Sequence, residues 1–205
     1  MKIRFVMGGL VAAILLCAGP ALAVEAQQVS KQLKPNPENV QAGLDVQVGF
    51  GNLTGDLAKD TGTGPLLGIT GVVQPFKYLG FEAGYEGQRI PIDYALVPNG
   101  EGLWRHNAGL LAKAGPLVLN HLRPFVGVGA GLSLINPSAG AGTIFDNDLV
   151  EEVPLAAGVE YHYGKISAGA RATYRLMFGE SFADALPNEP GGNLFTASAT
   201  LGGRF

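Results

Sequence analysis

Phe195-Thr196-Ala197-Ser198-Ala199-Thr200-Leu201-Gly202-Gly203-Arg204-Phe205 is the stretch on which the fold turns. Phe195, Ala197, Ala199, Leu201, Gly203 and Phe205 share one parity, and Thr196, Ser198, Thr200, Gly202 and Arg204 the other. Successive side chains of a strand point to opposite faces, so this is a strand with one apolar and one polar face. It runs to an aromatic last residue, where a soluble sheet seldom stops.

Working upstream, the same period of two recurs. Ile166, Ala168, Ala170, Ala172, Tyr174 and Leu176 oppose Ser167, Gly169, Arg171, Thr173 and Arg175. Val153, Leu155, Ala157, Val159 and Tyr161 oppose Ala156, Gly158, Glu160 and His162. Further runs lie at Pro124 to Leu134, Trp104 to Ala114, Leu79 to Glu86, Leu66 to Gln74 and Ala42 to Leu53. Each is about 10 residues, the length at which a tilted strand crosses a bilayer. The connections between them alternate long and short, as in barrels with long loops on one side of a membrane and tight turns on the other. The expected loops are 54–64, 88–102, 136–148 and 178–192. These runs predict an all-β fold, an eight-stranded antiparallel transmembrane up-and-down β-barrel over Ala42 to Phe205.

Composition separates this from a soluble sandwich. Glycine numbers 31 of 205 residues, roughly twice the usual share. Much of it sits on the polar faces, where a sandwich has no use for it but a narrow lumen does. Charged residues are only 15 %, and eight of those within the runs fall on the polar parity: Asp45, Glu82, Glu86, Arg105, Lys113, Glu160, Arg171 and Arg175. Aromatics gather near run ends, with Phe76, Tyr78, Tyr161, Tyr163 and Phe205 toward one rim and Phe50, Tyr85, Trp104, Tyr174 and Phe195 toward the other. Two such girdles suit a membrane's two headgroup levels.

The first residues read as a secretory signal. Lys2 and Arg4 precede an apolar run from Phe5 to Ala18, too short to span a bilayer as a helix, and Ala21-Leu22-Ala23 places cleavage after Ala23. The expected organisation is therefore a signal peptide over 1–23, a polar periplasmic lead-in over 24–41 with Pro35 and Pro37, and the barrel over 42–205. Cys17, the only cysteine, falls within the signal, which leaves no disulfide or Cys-based metal site. Leu16 before it argues against lipidation.

The ending Thr196 to Phe205 resembles the C-terminal signal of outer-membrane proteins, with Leu201, Gly203 and Phe205 at its alternating positions. Leu79 to Tyr85, Pro124 to Gly131 and Ala157 to Tyr161 resemble strand phrases of the small outer-membrane β-barrel family, which includes the OmpA barrel, OmpX and OmpW-like proteins. The resemblance implies a cell outer-membrane location in a Gram-negative envelope and periplasmic N- and C-termini. It also implies handling by periplasmic chaperones and the barrel-assembly machinery, and contact with outer-membrane lipid and lipopolysaccharide. It does not extend to a peptidoglycan-binding domain such as follows the OmpA barrel.

No catalytic set stands out. Gly127-Val128-Gly129-Ala130-Gly131 lacks the spacing and following helix of a dinucleotide loop. His106, His121 and His162 show no metal spacing, and Asp146 and Asp148 fit no calcium-loop motif. A lipid-modifying enzyme would need a Ser–His pair, and no His-x-Ser occurs. A net charge of −3 argues against nucleic acid. Neither an enzyme nor a cofactor is expected. The inward charges predict an ionic plug, with Asp45, Glu82, Glu160, Lys113 and Arg171 below and Glu86, Arg105 and Arg175 above. A structural or surface-interaction role on four mobile loops leads, against a narrow porin-like pore or small-molecule conduit.

Overall fold

The computed structural model describes residues 40–142, 145–179 and 192–205. The expected signal peptide with Ala21 and Ala23, and the expected lead-in as far as residue 39, lie outside the described residues. Eight strands form one closed antiparallel barrel in sequence order, β1 pairing with both β2 and β8. They are β1 Gln41–Leu53, β2 Gly64–Gln74, β3 Leu79–Pro91, β4 Gly102–Ala114, β5 Leu122–Pro137, β6 Asp148–Tyr163, β7 Ile166–Phe178 and β8 Leu194–Arg204. Closure removes the open strand edges that a membrane interior does not tolerate.

Several strands outrun the sequence reading. β3 continues through Pro91 into the stretch read as loop 88–102, and Thr61 bridges Ile92 beyond it. β6 begins at Asp148, not Val153, and β5 ends at Pro137. The loop at 54–64 contains a 3-10 turn, Gly55–Lys59. Pro154 hides the start of β6: it has no N–H to offer, and the β5–β6 ladder skips Val153 and Pro154 yet resumes in the same register at Gly131↔Glu152.

Burial is inverted relative to a water-soluble domain. Along β1, Leu44, Val46, Val48 and Phe50 are 48–58 % exposed, while Asp45 and Gln47 between them are 6 % and 7 % exposed. The same holds on β4, where Leu110 faces out and Arg105 and Lys113 face in. An apolar wall around a polar interior is the arrangement a bilayer selects. Phe50, Tyr85, Trp104, Tyr174 and Phe195 face outward toward the long-loop end, and Tyr78, Tyr161, Tyr163 and Phe205 toward the short-turn end. Among the described residues no helix is long and apolar enough to cross a membrane.

Glycine makes the interior possible. Most large inward charges stand opposite a glycine on a neighbouring strand: Lys113 opposite Gly80 and Gly127, Glu86 opposite Gly68, Glu152 opposite Gly131, Arg171 opposite Gly158, Glu160 opposite Gly169 and Asp45 opposite Gly202. A methyl group at Gly158 would stand 2.8 Å from ring carbons of Phe125, and one at Gly169 2.8 Å from Thr200 Oγ1. These positions are small because the space above them is already occupied.

Candidate functional site

The lumen is stacked in levels along the barrel axis. At the short-turn end, Arg204 of β8 holds Asp45 of β1 with Nη1–Oδ1 at 2.5 Å and Nη2–Oδ2 at 3.0 Å, and Ser167 Oγ donates to Asp45 Oδ1 at 3.1 Å. At the same end Arg123 of β5 reaches across the lumen, its Nη1 donating to Gln74 Oε1 of β2 at 2.6 Å. Asp45 thus pairs with a neighbouring strand below the expected lower layer rather than within it.

The next level contains two carboxylates and two cations. Lys113 Nζ reaches Glu82 at 2.7 Å and also donates to Glu160. Arg171 Nη2 donates to Glu82 Oε1 at 2.8 Å across the full width of the barrel, from β7 to β3. Phe125 points inward at this height, its ring centre 5.4 Å from Lys113 Nζ and 5.2 Å from the Arg171 guanidinium carbon, a spacing at which a ring face attracts a cation. His162 Nε2 lies 3.3 Å from Glu160 Oε2.

The third level is again two against two. Arg105, 0 % exposed, donates from Nη1 to Glu86 at 2.6 Å and from Nε and Nη2 to the two oxygens of Glu152 at 2.8 and 2.5 Å. Arg175 Nη2 donates to Glu86 at 2.9 Å, and its Nη1 to Thr196 Oγ1 at 2.7 Å. Neutral donors satisfy the remaining lone pairs: Gln47 Nε2 to Glu86 at 2.6 Å, Ser133 Oγ to Glu152 at 2.6 Å and Asn107 Nδ2 to Glu152 at 3.2 Å. Buried charge is tolerated on these terms, paired and hydrogen-bonded at once. A cavity of about 70 Å³ separates the second and third levels, walled by Thr70, Thr173 and Ser198, room for a few waters.

Above the charges, at the long-loop end, the lumen is apolar. Leu53, Ile90, Leu103, Ile135, Val150, Met177 and Leu194 point inward from the strand tops. The loops add Leu57 from the 3-10 turn, Val97 from the β3–β4 connection, and Ala141 and Phe145 from the β5–β6 connection. Leu57, Phe145 and Leu103 are at most 1 % exposed. Three loops read from sequence as mobile surfaces therefore each fold an apolar side chain into a common core. Gln88, 1 % exposed, marks the floor of that core.

All eight charges selected from sequence face the lumen and are ion-paired. Sequence reasoning missed Glu152, the main partner of Arg105, together with Arg204 and Arg123. Glu152 shares the parity of Glu160, which was the available signal. Outside the lumen, His106 faces lipid and shares a 2.6 Å hydrogen bond with the Tyr85 hydroxyl. His121 Nδ1 lies 3.0 Å from the His162 carbonyl oxygen. Among the described residues no histidine is hydrogen-bonded to a serine, and no three His, Cys, Asp or Glu side chains are grouped to hold a metal. Asp148 Oδ1 caps the Leu149 amide. Leu201 and Phe205 face outward, 63 % and 78 % exposed, and Phe205 stays in the ladder through backbone bonds with Ala42.

A closed eight-stranded barrel with an apolar wall and a filled polar lumen has the fold of the small outer-membrane β-barrels. Comparison with solved structures agrees. The chain is similar to Neisserial surface protein A (NspA) at TM-score 0.59 and 13 % identity, covering 80 % of this chain and 97 % of that one. It is similar to Ail, the attachment invasion locus protein of Yersinia pestis, solved with the heparin analogue sucrose octasulfate, at 0.52 and 12 %, covering 82 % and 99 %. The N-terminal β-barrel domain of Pseudomonas aeruginosa OprF matches at 0.52 and 15 %, covering 82 % and 100 %. No protein-family model and no curated protein matches the sequence.

Proposed function

We propose that this chain is an integral outer-membrane barrel with a closed lumen, acting as a structural or surface-interaction protein rather than as a channel or an enzyme. The observation that carries this reading is the double closure: two balanced ionic levels below, and an apolar core shared by strand tops and three loops above. An ion crossing the barrel would have to break the salt bridges of both levels and then pass an apolar core. Among the described residues what remains accessible is the wall and the outer surface of the first three long loops. The short-turn end holds both barrel termini and on this reading faces the periplasm. Leu201, Gly203 and Phe205 serve assembly, and the wall meets lipid and lipopolysaccharide.

Planar-bilayer recording of the refolded mature chain tests it. Wild type is expected to be silent, and Arg171→Ala as well, because Lys113 still holds Glu82 and two closures remain above. Steady stepwise current through wild type overturns the reading in favour of a pore. An epitope placed in the 92–101 loop should be labelled on intact cells; labelling only after lysis would reverse the orientation.

A further inference from the structure

Three hairpins close the short-turn end, and one differs from the others. The 75–78 connection carries Lys77, and the two-residue turn 164–165 carries Lys165. The 115–121 connection carries no Lys, Arg, Asp or Glu: Gly115-Pro116-Leu117-Val118-Leu119-Asn120-His121. It is also pinned. Val118 and Leu122 exchange backbone bonds at 2.6 and 2.9 Å, and His121 N donates to Val118 O at 3.3 Å. That tight turn holds Leu119 at φ 53° and Asn120 at φ 61°, the only non-glycine residues in the left-handed region among those described. Asparagine tolerates this region; leucine seldom occupies it. Leu119 nonetheless stands there with 81 % of its surface exposed, next to Leu117 at 41 % and Val118 at 40 %. Neither the barrel interior nor a neighbouring loop repays its strain.

The height of the turn identifies what covers it. Gly115 N donates to Tyr78 O at 2.9 Å, and His162 N to His121 O at 2.7 Å, so the hairpin is stitched to the β2–β3 and β6–β7 hairpins on its two sides. The bond from His162 N to His121 O extends the β5–β6 register by one pair, so the turn at Leu119 and Asn120 lies at the barrel's end beside Tyr163, which is 70 % exposed. His121 packs on Tyr161 of the outer wall, ring centres 5.9 Å apart. The hairpin therefore continues the lipid-facing belt without a break. At that level its neighbours are tyrosines and lysines, the side chains that settle at a headgroup boundary.

We infer that Leu117, Val118 and Leu119 form an interfacial anchor, an apolar finger held rigid so as to sit in the headgroup–acyl boundary of the leaflet at the short-turn end. Lipid rather than a soluble protein is the occupant because the exposed side chains follow directly on the outward-facing Tyr161 and Tyr163 of the lipid-facing wall. The anchor fixes the height of one side of the barrel in the membrane, a task the lysine-bearing turns share only through their aromatic neighbours. The inference rests on the barrel fold and not on the closed-lumen reading.

Trp104 is the only tryptophan, so a reporter is simple to install. In a Trp104→Phe background, Leu117→Trp and Leu119→Trp are refolded separately into phosphatidylcholine vesicles. Some vesicles carry bromine near the headgroup end of the acyl chain, others near its methyl end. The expected result is emission shifted to shorter wavelength than tryptophan in water, and stronger quenching by the shallow bromines. Emission at the water position with strong quenching by aqueous acrylamide would overturn the anchor and leave the finger free for a soluble partner. Stronger quenching by the deep bromines would overturn the interfacial height. Leu117→Trp keeps the test decisive if tryptophan at the strained Leu119 position prevents folding.

Discussion

Arg105 shows how much one side chain can be asked to hold. It is fully buried and bridges Glu86 of the adjacent β3 and Glu152 of β6, two strands away. Removing one member of a buried ion network strands the others without water, at a cost of about 3–5 kcal/mol. Arg105→Met is expected to lose about that much, measured by urea unfolding of the refolded barrel in lipid. Adding Glu152→Gln should recover most of it, because Glu86 keeps Arg175 and Gln47 as partners. A double variant no better than the single one would show that Arg105 acts through its bulk. The inward direction of Arg105 was legible from parity alone. Its partner was not. Glu152 stands two residues before Pro154 and beside Glu151, where the sequence no longer looks like a strand, and contacts across a lumen leave no mark of spacing along the chain.

At the scale of elements, strand identity was legible because a membrane barrel repeats the same alternation in every strand, and strand ends were not. The alternation reads as lost where inward residues turn apolar, as at Ile90, Leu103, Ile135 and Val150, since both faces then look alike. Those residues make up the apolar core at the long-loop end, so the part of the site that periodicity conceals is the part to which the proposed function assigns closure. Leu57 tests whether that core is one cooperative unit. Leu57→Ala opens a cavity in a filled core, a change that costs about 2–5 kcal/mol. The expected outcome is faster amide exchange at Gly62 and Ile92, whose N–H groups bond Pro91 O and Glu101 O within the same cap. Bilayer conductance should stay at zero, because the ionic levels below are untouched. Unchanged exchange would mean that the loops hold their form without the shared core.

The whole molecule turns the usual order of a protein inside out: Arg105, Lys113 and Glu160 are at most 4 % exposed while Leu67, Leu110 and Val126 are 64–65 % exposed. That order has a consequence of definite sign. In a water-soluble barrel, an arginine at an exposed wall position would be harmless. In a bilayer it costs about 2–4 kcal/mol at mid-depth and falls to about 0–1 kcal/mol near the interface. Val128 lies between Ala112 and Leu155 midway along the wall, and Tyr163 lies at the short-turn rim. Val128→Arg should therefore destabilise the refolded protein in vesicles by about 2–4 kcal/mol, and Tyr163→Arg by no more than about 1 kcal/mol. Equal penalties would mean that the wall has no depth, and the girdles of Tyr, Trp and Phe would lose their meaning. A graded penalty would locate the bilayer along the barrel axis. It would then be possible to say how far the long-loop cap stands clear of the membrane, and so how much surface it offers beyond the bilayer.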